Sequence, residues 1–118
     1  MTTAERVAAD RAKLKSDRAA RRATLAADRL TIVTTRRAGR QAMASDRRAM
    51  AADHKDATRL AADKQLLAAD ALKLTADLAQ LRATLAADVL VWKQALQADR
   101  LALTTDLKQL AIDRRARH

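Results

Sequence analysis

The sequence predicts an all-α fold built from long amphipathic helices, and three observations support this. The chain has 118 residues with no Pro, one Gly and a single aromatic residue, Trp92. Ala, Leu, Arg, Asp and Lys dominate instead, a composition typical of long helices and coiled coils. Aspartates recur at steps of 7 and 11 residues, which are about two and three α-helical turns. The same steps occur twice along the chain, which indicates an internal repeat.

The repeat has an offset of 60 residues. If Thr3 and Gly39 are substituted positions, each copy reads 7-7-11-11-7-7, and Arg22–Asp28 recurs intact as Arg82–Asp88. We interpret this as a tandem duplication within one helical domain of residues 1–118, with repeat 1 over about 1–58 and repeat 2 over about 59–118. The aspartate positions are Thr3, Asp10, Asp17, Asp28, Gly39, Asp46 and Asp53 in the first copy, and Asp63, Asp70, Asp77, Asp88, Asp99, Asp106 and Asp113 in the second.

A single apolar stripe accompanies the aspartates. Most of its members lie three residues before an aspartate position, and Trp92 joins it because it matches Ile32 of the first repeat. On a helical projection, Asp lines one flank of this stripe and the residue after each Asp lines the other. The second flank is more apolar in repeat 2, so we expect the second helix to be the more buried. The predicted core and oligomerisation stripe is Val7, Leu14, Leu25, Met43, Met50, Leu60, Leu67, Leu74, Leu85, Trp92, Leu96, Leu103 and Leu110.

The order of the steps favours an antiparallel helical hairpin. Because 7-7-11-11-7-7 is a palindrome, the aspartate positions are mirrored about Thr58. Folding the chain at a tip near residues 54–60 would bring Asp53 toward Asp63 and Leu25 toward Trp92, and the register would hold along both helices. Asp56 or Thr58 could cap the second helix. The predicted fold is therefore a hairpin that assembles into a coiled-coil bundle.

Two other arrangements fit the same periodicity. One is a continuous long helix in a coiled coil, where parallel neighbours would set Asp against Arg, whereas an antiparallel pair brings Asp toward Asp. The other is a helix break around residues 34–39 that gives a shorter bundle. All three need a second helix or a partner, because one amphipathic helix cannot bury its own stripe.

Basic residues form the main candidate binding surface. Of the net charge of +10, most lies in residues 1–60, which hold fifteen Lys and Arg against seven acids. Eight of these cations fall on one helical flank along roughly 54 Å and could follow phosphates or an anionic membrane surface. Alternatively, they pair with the aspartates of a neighbouring helix. This basic ridge consists of Arg11, Lys15, Arg18, Arg22, Arg29, Arg36, Arg40 and Arg47.

These patterns predict a structural or scaffolding coiled-coil protein that self-associates as a homo-oligomer through the Leu stripe, with Asp and Arg on its flanks. The alternative is a sequence-independent nucleic-acid coating or compaction protein that uses the basic ridge. A second alternative is a peripheral binder of anionic lipid surfaces. No nucleic-acid recognition motif and no stacking aromatics accompany the ridge, so any nucleic-acid binding would be non-specific and salt-sensitive.

The sequence offers no support for catalysis. It has no Cys or Tyr, no Gly-rich phosphate loop and no nucleophile motif, so we expect no enzyme activity, cofactor or small-molecule substrate. The aspartates lack the clustered loop that gathers oxygens around Ca²⁺, so we expect no metal site. The N-terminus does not resemble a signal peptide, and no apolar stretch approaches the ~18–20 residues of a transmembrane helix. A cytoplasmic location is the expectation.

Overall fold

The protein folds as an antiparallel hairpin of two α-helices, as the computed structural model of residues 1–117 shows. Helix α1 spans Thr3–Ala52 and helix α2 spans Ala57–Ala116. This confirms the predicted all-α hairpin. Helix α1 runs without interruption through residues 34–39 and ends before α2 begins, so neither the continuous helix nor the helix break is the fold.

Each helix begins directly after a residue whose side-chain oxygen accepts a hydrogen bond from a backbone N–H of the first turn. The Thr2 hydroxyl oxygen accepts a hydrogen bond from the backbone N–H of Glu5 at 3.1 Å, and Thr2 with Glu5 has the spacing of a capping box. The Asp56 carboxylate accepts a hydrogen bond from the backbone N–H of Arg59, also at 3.1 Å. The Arg59 side chain lies 3.5 Å from the same carboxylate. Asp56, one of the two candidate caps in the sequence, is therefore the N-cap of α2.

The tip consists of residues 53–56. The backbone N–H of Asp53 donates to the carbonyl of Ala49, and that of Asp56 donates to the carbonyl of Asp53, each at 2.9 Å. Among the described residues none has a positive φ, so this turn needs no glycine. The tip is shorter than the predicted 54–60 because the Asp56 cap already starts α2 at Ala57.

The chain forms two compact units, and each contains a piece of both helices. Unit 1 is Met1–Ala26 together with the chain from Ala86 onward, and unit 2 is Ala27–Leu85. Every residue of the predicted stripe is buried or half-buried in its unit, and the buried apolar residues also include Ile32 and Leu78, which the predicted stripe omitted. The most enclosed apolar side chains are Val7, Leu14, Leu25 and Leu96 in unit 1, and Ile32 and Leu78 in unit 2.

The expectation that the second helix is the more buried was wrong. Helix α2 exposes far more large apolar side chains than α1, because a two-helix hairpin covers only one stripe on each helix, and additional apolar residues stay outside it. On α1 the exposed large apolar residues are Leu30 and Val33. On α2 they are Leu66, Leu72, Val89, Leu90, Val91, Leu101, Leu107 and Ile112.

Candidate functional site

The aspartates of the two helices face each other in the mirrored register. Aspartates that are equidistant in sequence from Thr58 lie close enough for one carboxyl to shift the pKa of the other, in agreement with the mirrored register. Thr3 occupies the repeat position mirrored to Asp113, where the other pairs have an aspartate. Its hydroxyl donates a hydrogen bond of 2.6 Å to the Asp113 carboxylate. The facing aspartate pairs are Asp10 with Asp106, Asp17 with Asp99, Asp46 with Asp70, and Asp53 with Asp63.

These aspartates lie between the helices and not on an outer flank. Asp46 and Asp99 are only 7% and 6% exposed, and the remaining aspartates of the repeat are half-buried. Residues three apart on a helix both turn toward a packed partner, like the a and d positions of a coiled coil. Each apolar residue of the stripe and the Asp that follows it by three residues therefore both enter the interface. Carboxylate layers alternate with aliphatic layers.

In three of these pairs, a neighbouring carboxyl raises the pKa of an aspartate. A hydrogen bond with Asp106, together with burial, raises the pKa of Asp10. Asp70 does the same to the pKa of Asp46, and Asp53 to that of Asp63. Repulsion between two neighbouring carboxylates disfavours the ionised form and contributes to each raised pKa. One carboxylate oxygen in each of Asp10, Asp46, Asp63 and Asp99 is enclosed and has no hydrogen-bond partner.

Other carboxylates are stabilised in their charged form. Hydrogen bonds with Asp99 and with the Lys13 ammonium lower the pKa of Asp17. Lys13 Nζ lies 2.9 Å from Asp17 and 3.0 Å from Asp99, so one cation bridges the pair. Hydrogen bonds from Thr3 and Gln109 lower the pKa of Asp113. The aspartate layers are therefore not equivalent in their response to pH.

Gly39 interrupts the aspartate layers of unit 2. It occupies the position mirrored to Asp77, and both line one cavity together with Leu74. A Cβ atom at position 39 would lie 2.5 Å from Leu74 Cδ1, so the Leu74 side chain fills the space that a side chain at position 39 would take. Asp77 is instead paired with Lys73 Nζ at 2.7 Å.

The basic ridge is exposed on both units. Its members in unit 1 are all exposed, and in unit 2 only Arg36 is half-buried. Arg6, Lys13, Arg59 and Lys73 form ion pairs with aspartates in the described residues. The pairing of the ridge with aspartates of a neighbouring helix stays a prediction.

Two cation-lined cavities extend this basic surface. In unit 1, Arg21 of α1 and Lys93 and Arg100 of α2 surround an opening whose apolar lining is Val89 and Leu96. In unit 2, Arg36, Arg37 and Arg40 line a second opening beside Val33 on α1.

The sequence analysis missed Arg21, Lys93 and Arg100, because it examined the ridge of α1 alone. Lys93 and Arg100 are seven residues apart and therefore share a face of α2. This seven-residue spacing could have identified Lys93 and Arg100 as neighbours from the sequence. The position of Arg21 beside them depends on the hairpin.

Residues 1–117 hold no group of three or more His, Asp or Glu side chains arranged to bind a metal ion. Within the same residues, neither helix has a segment sufficiently long and apolar to cross a bilayer. No protein-family model matches the sequence, and searches of curated proteins and of solved structures gave no match.

Proposed function

We propose that this protein is a structural scaffold and that its helical hairpins self-associate. The observation that carries this proposal is the apolar surface of α2, which stays open after the hairpin has closed its own core. Leu72 and Leu101 are 72% and 69% exposed. A helix that keeps large apolar side chains on its outer face after folding offers a surface for further association.

Sedimentation equilibrium across a wide range of protein concentrations tests the proposal. We expect the mass to rise above the 12.9 kDa of one chain as concentration increases, and to do so at high salt as well, because apolar contacts are not screened. A mass that stays at one chain at every concentration would refute self-association.

The second candidate function is sequence-independent binding of a polyanion, and the unit 1 cavity of Arg21, Lys93 and Arg100 favours it. Three cations from two helices meet there around a partly apolar lining, and the ridge residues beside them are exposed. A phosphodiester backbone would relieve their mutual repulsion. Each phosphate neutralised releases counterions, so affinity would fall steeply with salt.

Binding of two unrelated DNA duplexes, measured against salt concentration, tests this candidate. Replacing Arg21, Lys93 and Arg100 together by Gln should lower the slope of log affinity against log salt by about 2 to 3 for both duplexes. The matched control replaces three paired cations, Arg6, Lys13 and Lys73, by Gln and removes the same charge.

An equal loss of affinity in both triple variants would show that net charge alone attracts the DNA and would contradict a site. Vesicles with anionic headgroups form a separate arm of the experiment. Binding to these vesicles without binding to DNA would assign the cations to a lipid surface.

A further inference from the structure

The fold separates the acidic side chains from the basic ones. Every Lys and Arg of the described residues is exposed except Arg21 and Arg36, which are half-buried. Of the acidic residues described, Glu5 and Asp56 are exposed, whereas the aspartates of the repeat are buried or half-buried between the helices. The outer surface therefore presents many cations with few acids beside them, and it suits a partner of opposite charge.

In unit 1 both helices place cations on the same face of the hairpin. The residue after each Asp lies on one flank of its helix, and in an antiparallel pair these two flanks are on the same side. The basic ridge follows this flank on α1, and Lys93 and Arg100 follow it on α2. The cavity that Arg21 lines together with Lys93 and Arg100 lies between the two helices on this side.

The cations of the two helices are level with one another along this face. In the mirrored register Lys93 is level with position 23, beside Arg22. Arg100 is level with position 16, between Lys15 and Arg18. Lys93 and Arg100 are about 10 Å apart along α2. We name these two rows the two-row face, which consists of Arg11, Lys15, Arg18 and Arg22 on α1 and Lys93 and Arg100 on α2.

Unit 2 differs from unit 1 in the second row. Within Ala27–Leu85 the matching flank of α2 holds Lys64 and Arg82, which are 18 residues or about 27 Å apart. Ala71 and Leu78 take the positions between them. The ridge of unit 2 therefore lies beside a largely neutral flank, whereas the ridge of unit 1 lies beside further cations.

We propose that the two-row face of unit 1 binds the sugar–phosphate backbone of a nucleic-acid duplex. The inference rests on the polyanion binding proposed above as the second candidate function, and it names the surface and the form of the nucleic acid. One strand lies along the groove between the rows, and its phosphates accept hydrogen bonds from both. Its sugars cover the apolar side chains of Val89 and Leu96, which line the groove.

The length of the α1 row fits the path of a strand. Arg11 and Arg22 are 11 residues apart, about 16 Å along the helix. A strand of B-DNA winds once around its duplex in about 34–36 Å, so a straight row of cations stays beside one strand for only part of a turn. About 16 Å is close to half a turn and covers roughly five phosphates of the strand. A contact of this length needs one unit and not the entire ridge.

The form of the nucleic acid follows from the lack of a stacking surface. Trp92 is the one aromatic residue of the chain, and it is half-buried at a position of the predicted stripe. Proteins that bind single strands usually combine a basic groove with aromatic side chains on which bases stack. Contacts to phosphates alone favour the duplex, because its charge density is higher and more counterions are released.

Two triple variants of the ridge give the first test. The unit 1 variant replaces Arg11, Arg18 and Arg22 by Gln and should lower affinity for a DNA duplex at least about tenfold and the slope of log affinity against log salt by about 2 to 3. The matched control removes three exposed cations of the same ridge in unit 2 and should lower that slope by less than about 1. Circular dichroism should show unchanged helicity in both, because all six positions are on the surface. The control replaces Arg29, Arg40 and Arg47 by Gln.

A second row built into unit 2 tests the geometry by a gain of affinity. Ala68 and Thr75 are exposed on the ridge side of α2, with the same seven-residue spacing as the α2 cations of unit 1. The matched control is Ala62→Lys with Ala69→Lys, which adds the same charge at the same spacing on the opposite flank of α2. Ala68→Lys with Thr75→Lys should bind the duplex at least about fivefold more tightly than this control.

The outcomes separate the inference from the proposed function. A wild-type chain that binds no DNA at low salt would refute both polyanion binding and the two-row face. Equal losses in the two ridge variants would refute the two-row face and leave polyanion binding standing. A single strand of the same length that binds as tightly as the duplex would overturn the duplex as the occupant. Binding to anionic vesicles without binding to DNA would assign the face to a lipid surface.

Discussion

Gly39 offers a quantitative test of how closely the two helices pack in unit 2. Gly in the middle of a helix costs about 0.8–1.0 kcal/mol relative to Ala, so Gly39→Ala should by itself stabilise α1 by that amount. The new Cβ, however, would lie 2.5 Å from Leu74 Cδ1 and 2.9 Å from Leu74 Cδ2. Leu74 must therefore leave its position, and an unfavourable rotamer costs about 0.5–1.5 kcal/mol.

The two effects are similar in size, so Gly39→Ala should change the free energy of unfolding by less than about 0.5 kcal/mol in the wild-type background. In a Leu74→Ala background the obstacle is gone, and the same substitution should stabilise the hairpin by about 1 kcal/mol. The coupling free energy between the two positions is then about 1 kcal/mol.

Urea unfolding followed by circular dichroism at 222 nm measures all four members of this cycle. Ala27→Gly, at an exposed position of the same helix, calibrates the ordinary cost of Gly in α1. A gain of about 1 kcal/mol in both backgrounds would show that Leu74 moves aside freely and would refute the reasoning.

Three further predictions concern stability. Leu25→Ala should lower the free energy of unfolding by about 2–5 kcal/mol, since Leu25 is 4% exposed, whereas Leu30→Ala on the surface should change it by less than about 0.5 kcal/mol; equal effects in urea unfolding would contradict the assigned core. Asp56→Ala should cost about 1 kcal/mol because α2 loses its N-cap, and a thermal unfolding curve that matches wild type would argue against that cap. The melting temperature should peak near the ordinary carboxyl pKa of 3.8. The raised pKa values of Asp10, Asp46 and Asp63 give stability that is present below 3.8 and lost as pH rises through their folded values. The lowered pKa values of Asp17 and Asp113 give stability that is lost as pH falls through their folded values. A melting temperature that decreases steadily from pH 7 to pH 4 would contradict this balance.

The hairpin and its register could be predicted because they depend on spacing alone. A palindromic series of steps keeps its alignment only when the chain folds back on itself, and the cap at Asp56 needs only local residues. The same reasoning places Asp10 opposite Asp106 and Asp46 opposite Asp70, as observed.

Burial was harder to predict, because hydrophobicity was used to decide which side chains face the partner helix. That criterion put the aspartates on a flank, although positions three residues apart pack together whatever their polarity. It also led to the expectation of a more buried α2, whereas Leu90 and Leu101 lie outside the single stripe that one partner helix can cover. The cavity of Arg21, Lys93 and Arg100 depends on two helices and could not be found from one.

The mirrored register also implies an order of folding. The paired residues closest in sequence, Asp53 and Asp63, are beside the tip, whereas Thr3 and Asp113 are separated by 110 positions. The pair beside the tip closes only a short loop. Each following pair then adds one layer next to residues that are already in contact, so no long loop has to close in a single step. We therefore expect the hairpin to form like a zipper from the tip, so that substitutions beside the tip slow folding and those near Thr3 accelerate unfolding.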